Sequence, residues 1–162
     1  MANIVNTRID ERLVHGQIVA FWTNRLNASR IMVIDDTAAS NDIQKAALKM
    51  ACPAGTKLSI LRVERAVEKL NDPANYVGER LLCVFKGPAS LQKALQIGFP
   101  MKSITVGNMS SRIGSHLVFK STSVTDDDVK LFREMAADGV TFTAQMVPDD
   151  EPKDFIKLIE KL

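Results

Sequence analysis

Short apolar runs alternate with helical periodicities from one end of the chain to the other. Ile4–Ile9, Ile31–Ile34, Leu58–Leu61, Leu81–Phe85, Ile104–Val106 and Leu117–Phe119 read as strands. They are short and apolar on both faces, the pattern of strands covered by helices on each side. Between them the period changes. Ile43, Ala46, Ala47, Met50 and Ala51 recur at i, i+3, i+4, i+7 and i+8, and so mark one apolar helix face. Val63, Ala66, Val67 and Leu70 repeat the pattern, as do Leu91, Ala94, Leu95 and Gly98. An earlier helix carries Ile18, Val19, Phe21, Trp22 and Leu26, with Phe21 and Trp22 expected in the core. Thr125 followed by Asp126, Asp127 and Asp128 reads as an N-cap with an acidic first turn, opening a helix that Gly139 closes.

Val140, Phe142, Ala144 and Met146 alternate with Thr141, Thr143 and Gln145, so Val140–Met146 is expected to be a half-wet edge strand, antiparallel to its neighbour. Pro152 is expected to start a terminal helix facing inward through Phe155, Ile159 and Leu162. Strand–helix alternation of this kind predicts an α/β fold: an open, mostly parallel twisted sheet with helices on both faces and an antiparallel edge strand. No repeat, linker or low-complexity tract divides residues 1–162, which predicts a single domain.

Ligands of such sheets bind beyond the carboxyl ends of the strands. Those ends carry Asp10 to Gly16, then Asp35, Asp36 and Thr37, then Arg62, Lys86, Gly87 and Gly107 to Ser110. The most distinctive group among them is His15, one of two histidines in the chain. Arg8, Asp10 and Arg12 lie within seven residues of it, and Gly16 allows a sharp turn or the close approach of an anion. A near-neutral imidazole beside fixed positive charge at a helix N-terminus is suited to holding a phosphoryl group on nitrogen. Arg8 and Arg12 would then clamp the anion, and Asp10 or a backbone carbonyl would orient the ring. The plainer alternative is also open. His15 would be a solvated loop residue, Arg8 and Arg12 surface charges paired with Asp10 and Glu11, and Asp35 and Asp36 caps of the following helix. His116, just before a strand, reads as structural or as surface.

Composition narrows the classes. Lys plus Arg is 21 against Asp plus Glu at 19, a net charge of +2 with no basic run, which argues against nucleic acid as the partner. No apolar stretch is long enough to span a membrane and no signal peptide is visible, so a soluble, cytoplasmic protein is expected. Cys52 and Cys83 are too few for a disulfide framework, and Cys83 reads as a buried thiol. No Cys/His grouping has metal-ligand spacing, and no phosphate-loop, nucleophile-elbow or zinc-protease motif occurs.

The run from Arg8 to Gln17, Arg-Ile-Asp-Glu-Arg-Leu-Val-His-Gly-Gln, resembles the active-site signature of the IIB component of mannose-family sugar phosphotransferase systems, which serve mannose, fructose, sorbose and N-acetylated amino sugars in bacteria. Val33 to Asp36 with Asn41 and Asp42, Val106 to Met109, Ser123 to Thr125 and Gln145 to Pro148 are similar to the family as well, so the likeness covers nearly the whole chain. After Gly114, Ser115, His116, Leu117 and Val118 depart from the family pattern. The resemblance implies a phosphocarrier enzyme working through a covalent phosphohistidine, without metal or soluble cofactor. His15 matches the phosphoacceptor, at Nδ1, and Arg8, Asp10, Arg12, Gly16 and Gln17 match its surroundings, while Asp35 and Asp36 match a family pair. The implied donor is a IIA domain, and the implied acceptor is a sugar presented by the membrane components IIC and IID, which would hold the protein at the inner face of the plasma membrane. Leu13, Val14 and Met109 are expected as exposed apolar anchors for those partners. Self-association is left open. The alternatives are a regulatory module of the same fold, whose phosphorylation state signals sugar availability, and a nucleotide-binding α/β protein.

Overall fold

The computed structural model describes residues 2–162. Its first strand, β1 (Asn3–Asp10), leads into α1 (Gly16–Leu26), then β2 (Arg30–Ile34), the single turn α2 (Asp36–Ala39), α3 (Asp42–Ala51) and β3 (Lys57–Leu61). There follow α4 (Val63–Asn71), β4 (Arg80–Phe85), α5 (Pro88–Gln96) and β5 (Ser103–Asn108). A hairpin of β6 (His116–Phe119) and β7 (Thr122–Val124) comes next, then α6 (Asp126–Ala137), β8 (Thr141–Ala144), β9 (Lys153–Asp154) and α7 (Phe155–Ile159). The main sheet has the order β3-β2-β4-β1-β5-β8-β9, parallel throughout except for β9.

The strands are apolar on both faces because each face is roofed. On β2, Met32 and Ile34 point into one core with α4, α5, α6 and α7, while Ile31 and Val33 point into the other with α1, α2 and α3. On β4, Leu81, Cys83 and Phe85 divide from Leu82 and Val84 in the same alternation. Cys83 is a free thiol, fully buried, and burial pushes its pKa up to about 12. Neighbouring strands β1 and β4 send their crossovers to opposite faces, through α1 and α5. That divergence opens the crevice at their carboxyl ends where the chemistry-bearing loops sit.

The structure corrects several expectations. Leu117–Phe119 forms no part of the main sheet. It pairs antiparallel with β7, and this hairpin docks on the end of β5 through Met109. Residues Thr141–Ala144 are parallel to β5, and the antiparallel edge is β9, made by residues expected to begin the last helix. The helix itself starts at Phe155, capped by Asp154. Phe155 and Ile159 are buried, while Leu162 is exposed. Thr125 and Asp128 form the expected capping box of α6, and Gly139 lies one residue beyond its C-cap, Asp138. Trp22 is buried but Phe21 is half exposed. Helix α3 reverses its expected face. Leu48 packs inward, whereas Ile43, Ala46, Ala47 and Met50 face solvent. No helix among the described residues is long and apolar enough to cross a membrane.

Candidate functional site

Asp10 ends β1 and builds the loop after it. Its backbone carbonyl accepts from the Leu13 N–H at 2.9 Å, closing a turn, and its Oδ1 accepts from the Arg12 N–H at 3.0 Å. The Arg12 side chain folds back on the same carboxylate, Nε to Oδ1 at 3.2 Å and Nη2 to Oδ2 at 3.3 Å. Asp10 therefore braces Arg12 and the turn, and does not bond to the His15 ring. Leu13 takes a left-handed φ of 64°, unfavourable for a branched side chain, because this is what seats it in the core beside Val14. Leu13, Val14 and Met109 are all buried, which overturns their expected role as exposed anchors.

This buried footing lifts the next three residues, His15, Gly16 and Gln17, into solvent. His15 is the N-cap residue of α1, extended at φ −136°, and its side chain caps nothing. The first turn of α1 contains no acidic residue, so its leading amides and the positive helix end face outward beside the imidazole. Gly16 turns the backbone with a φ of 42°; a side chain there would meet no neighbour, so the demand for glycine is conformational.

Arg8 has a different place from the one expected. It is fully buried. Nη1 donates to the Gln145 carbonyl at 2.8 Å and Nη2 to the Met146 carbonyl at 2.7 Å, and the guanidinium lies 5.0 Å over the Trp22 ring. Trp22 Nε1 donates to the same Met146 carbonyl at 2.9 Å. Burial holds the Arg8 pKa down at about 10, and Asp10, 3.6 Å away, offsets part of that, so the group stays charged at neutral pH. Arg8 ties β1 to the segment after β8 and is not an anion clamp. It fits because β5 carries a glycine at the contact. Ile9 pairs with Val106 and Asp10 with Asn108, leaving Gly107 as a bulge whose missing Cβ makes room for the guanidinium.

Asp35 caps α2, accepting from the Ala38 N–H at 2.9 Å. Asp36 cross-links the region, accepting from the Val63 N–H at 2.9 Å and from Lys93 at 3.0 Å. These bonds, the backbone one first, hold the Asp36 carboxyl below its ordinary range. The helix-capping alternative is thus realised for Asp35. Beyond the strand ends lies a cavity of about 310 Å³ lined by Glu11, Asp35, Lys86, Gly87 and Met109, with Arg112 paired to Asp128 on its wall. The strand-end residues Asp35, Lys86, Gly87 and Met109 do converge, whereas His15 stands outside the cavity. Among the described residues no cluster of His, Cys, Asp and Glu could hold a metal ion. His116 is exposed, 3.7 Å from Asp126.

Glu11 joins two of the loops, its Oε2 accepting from the Ser110 N–H at 2.8 Å. Hydrogen bonds from Ser110 hold its carboxyl below the ordinary 4.5. A depressed folded pKa stabilises the protein above the unfolded value, and that contribution disappears as pH falls through the folded one. In urea denaturation at neutral pH, Glu11→Gln should cost about 1 kcal/mol. The difference should shrink below pH about 4.5, and a gap that persists in acid would assign it to some other cause.

Residues 4–162 match the family model for the sorbose subfamily IIB component of the phosphotransferase system. A sorbose-specific EIIB component from Lacticaseibacillus casei is 31% identical over 159 residues, 98% of this chain and 96% of that protein. The mannose-specific EIIAB component of Escherichia coli (strain K12) is 32% identical over 155 residues, covering 96% of this chain and 48% of that longer protein. Among solved structures, the IIB domain of the sorbose permease from Klebsiella pneumoniae superposes with a TM-score of 0.91 at 28% identity, over 98% of this chain and 97% of that one.

Proposed function

Because the chain belongs to the sorbose-subfamily IIB components of the phosphotransferase system, and so serves phosphoryl transfer in sugar uptake, we propose that His15 itself carries the phosphoryl group. It accepts the group from a IIA protein and passes it to a sugar held by the membrane components IIC and IID, at the cytoplasmic face of the membrane. The observation that carries this reading is the exposed imidazole at the start of α1, which makes no capping bond and has no partner among the described residues. The EIIAB relative, whose name joins a IIA to a IIB component in one protein, supports a IIA donor.

In this route the neutral imidazole attacks phosphorus through Nδ1, as the family resemblance implies, while the bond to the donor breaks and the other ring nitrogen keeps its proton. Arg12 and the leading amides of α1 meet the spread charge of the group in flight, so catalysis is positioning plus electrostatics, with no metal and no soluble cofactor. Arg12 is suited to this because it is partly exposed and only its Nε and Nη2 bind Asp10, which leaves Nη1 for an anion. Arg12→Lys should therefore slow transfer about 10- to 100-fold and leave the melting temperature within a few degrees. Single-turnover transfer from charged IIA measures it, and an unchanged rate would remove Arg12 from the machinery.

The direct test is intact-mass analysis after incubation with phosphoenolpyruvate, the general phosphotransferase proteins and a mannose-family IIA. One acid-labile phosphoryl group should appear and should leave when sugar and membranes containing IIC and IID are added. A folded protein that stays unlabelled beside a charged IIA would sink the proposal. Label that never leaves would point to the regulatory alternative.

A further inference from the structure

Helix α3 turns its apolar stripe away from the protein. Ile43 and Met50 are 85% and 88% exposed, and Ala46 and Ala47 between them are exposed too. The four residues form one continuous face on ten residues of helix. Other large apolar side chains are exposed elsewhere, Ile113 and Val77 among them, but a continuous apolar face of this kind marks a contact. Asp42 and Lys49 stand seven residues apart on one flank of the stripe, both exposed, and neither has an ion-pair partner among the described residues.

We propose that this face binds a second copy of the chain, α3 packing antiparallel on α3 about a two-fold axis between Ala46 and Ala47. That axis sets Ile43 opposite Met50 of the second copy and leaves the two alanines at the crossing, where small side chains let the backbones approach. In an antiparallel helix pair each flank meets its own symmetry mate. Asp42 therefore falls beside Lys49 of the second copy, and the pair occurs twice. A parallel pairing would set this flank against the opposite flank of the second copy and leave Asp42 and Lys49 apart from each other. A membrane surface would favour a uniformly basic border, and this flank carries one charge of each sign. One helix of about 15 Å offers less than the ~800 Å² per partner of a permanent complex, so the dimer forms reversibly with concentration.

Sedimentation equilibrium tests the proposal on the intact chain. The wild-type mass should climb from 17.9 kDa toward twice that value as concentration rises. Ile43→Asp and Met50→Asp should each weaken association at least tenfold and leave the circular dichroism and melting temperature intact. Asp42→Lys and Lys49→Asp should each weaken it, and the double exchange D42K/K49D should restore it. A wild type that is monomeric up to about 1 mM would overturn the proposal, as would a dimer indifferent to Met50→Asp or a double exchange that fails to restore association. A wild-type monomer that floats with phosphatidylglycerol–phosphatidylethanolamine vesicles would assign the stripe to a membrane and overturn the dimer as well.

Discussion

His15→Ala should yield a folded protein that takes up no phosphoryl group at all. The stability half of this expectation follows from exposure. The imidazole projects into solvent and makes no capping bond, so its removal leaves neither a cavity nor an orphaned amide, and the cost should stay within about 0.5 kcal/mol. The chemical half is all-or-none, because an alanine methyl has no lone pair to attack phosphorus. Intact mass after incubation with charged IIA, read beside a thermal melt, checks both at once. Label surviving in the variant would move the acceptor, first to His116, the other histidine of the chain.

The second large effect concerns a residue with no polar atom in its side chain. A Cβ placed on Gly107 would lie 1.9 Å from Arg8 Nη2, 2.1 Å from Cζ and 2.5 Å from Nη1, so Gly107→Ala must evict the guanidinium. Eviction breaks two hydrogen bonds to the Gln145 and Met146 carbonyls and leaves the buried Asp10 with Arg12 alone. Disrupting a buried, bonded charge in this way typically costs 3–5 kcal/mol, which for a domain of this size lowers the melting temperature by about 10 °C. The double variant R8A/G107A should be no less stable than Arg8→Ala alone, since the clash then has no second party. Additive losses in urea denaturation would show that Gly107 acts through some contact other than Arg8.

What could be read in advance divides along physical lines. The six apolar runs located strands because burial on both faces leaves few polar positions, but a run states only that it is buried, not what it pairs with. Leu117–Phe119 thus joined a hairpin with β7 instead of the main sheet. The direction of Thr141–Ala144 and the two-residue β9 were equally hidden, since in–out alternation has no polarity along the chain. Periodicity found α3 and α4 alike. The outward face of α3 was invisible because spacing reveals that a stripe exists and not whether anything covers it. At the site, the sequence around His15 located the loop, yet Arg8 and Arg12 looked equivalent. What separates them is the pair of carbonyls at Gln145 and Met146, and backbone acceptors leave no mark in a sequence. Leu13 and Val14 could not be recognised as footing for the same loop because the left-handed turn at Leu13 has no glycine to announce it.

The exposed tip at the start of α1 also bears on timing. On the proposed route one imidazole serves both the donor and the membrane complex, and two bodies cannot occupy a single protruding point together. Each must leave before the other arrives, so uptake becomes a relay in which waiting time at the tip limits throughput. Tight grip by either neighbour would slow the whole line. Selection on such a carrier favours brief visits and short residence over strong affinity, with the energy of recognition spread thinly around the rim of the tip.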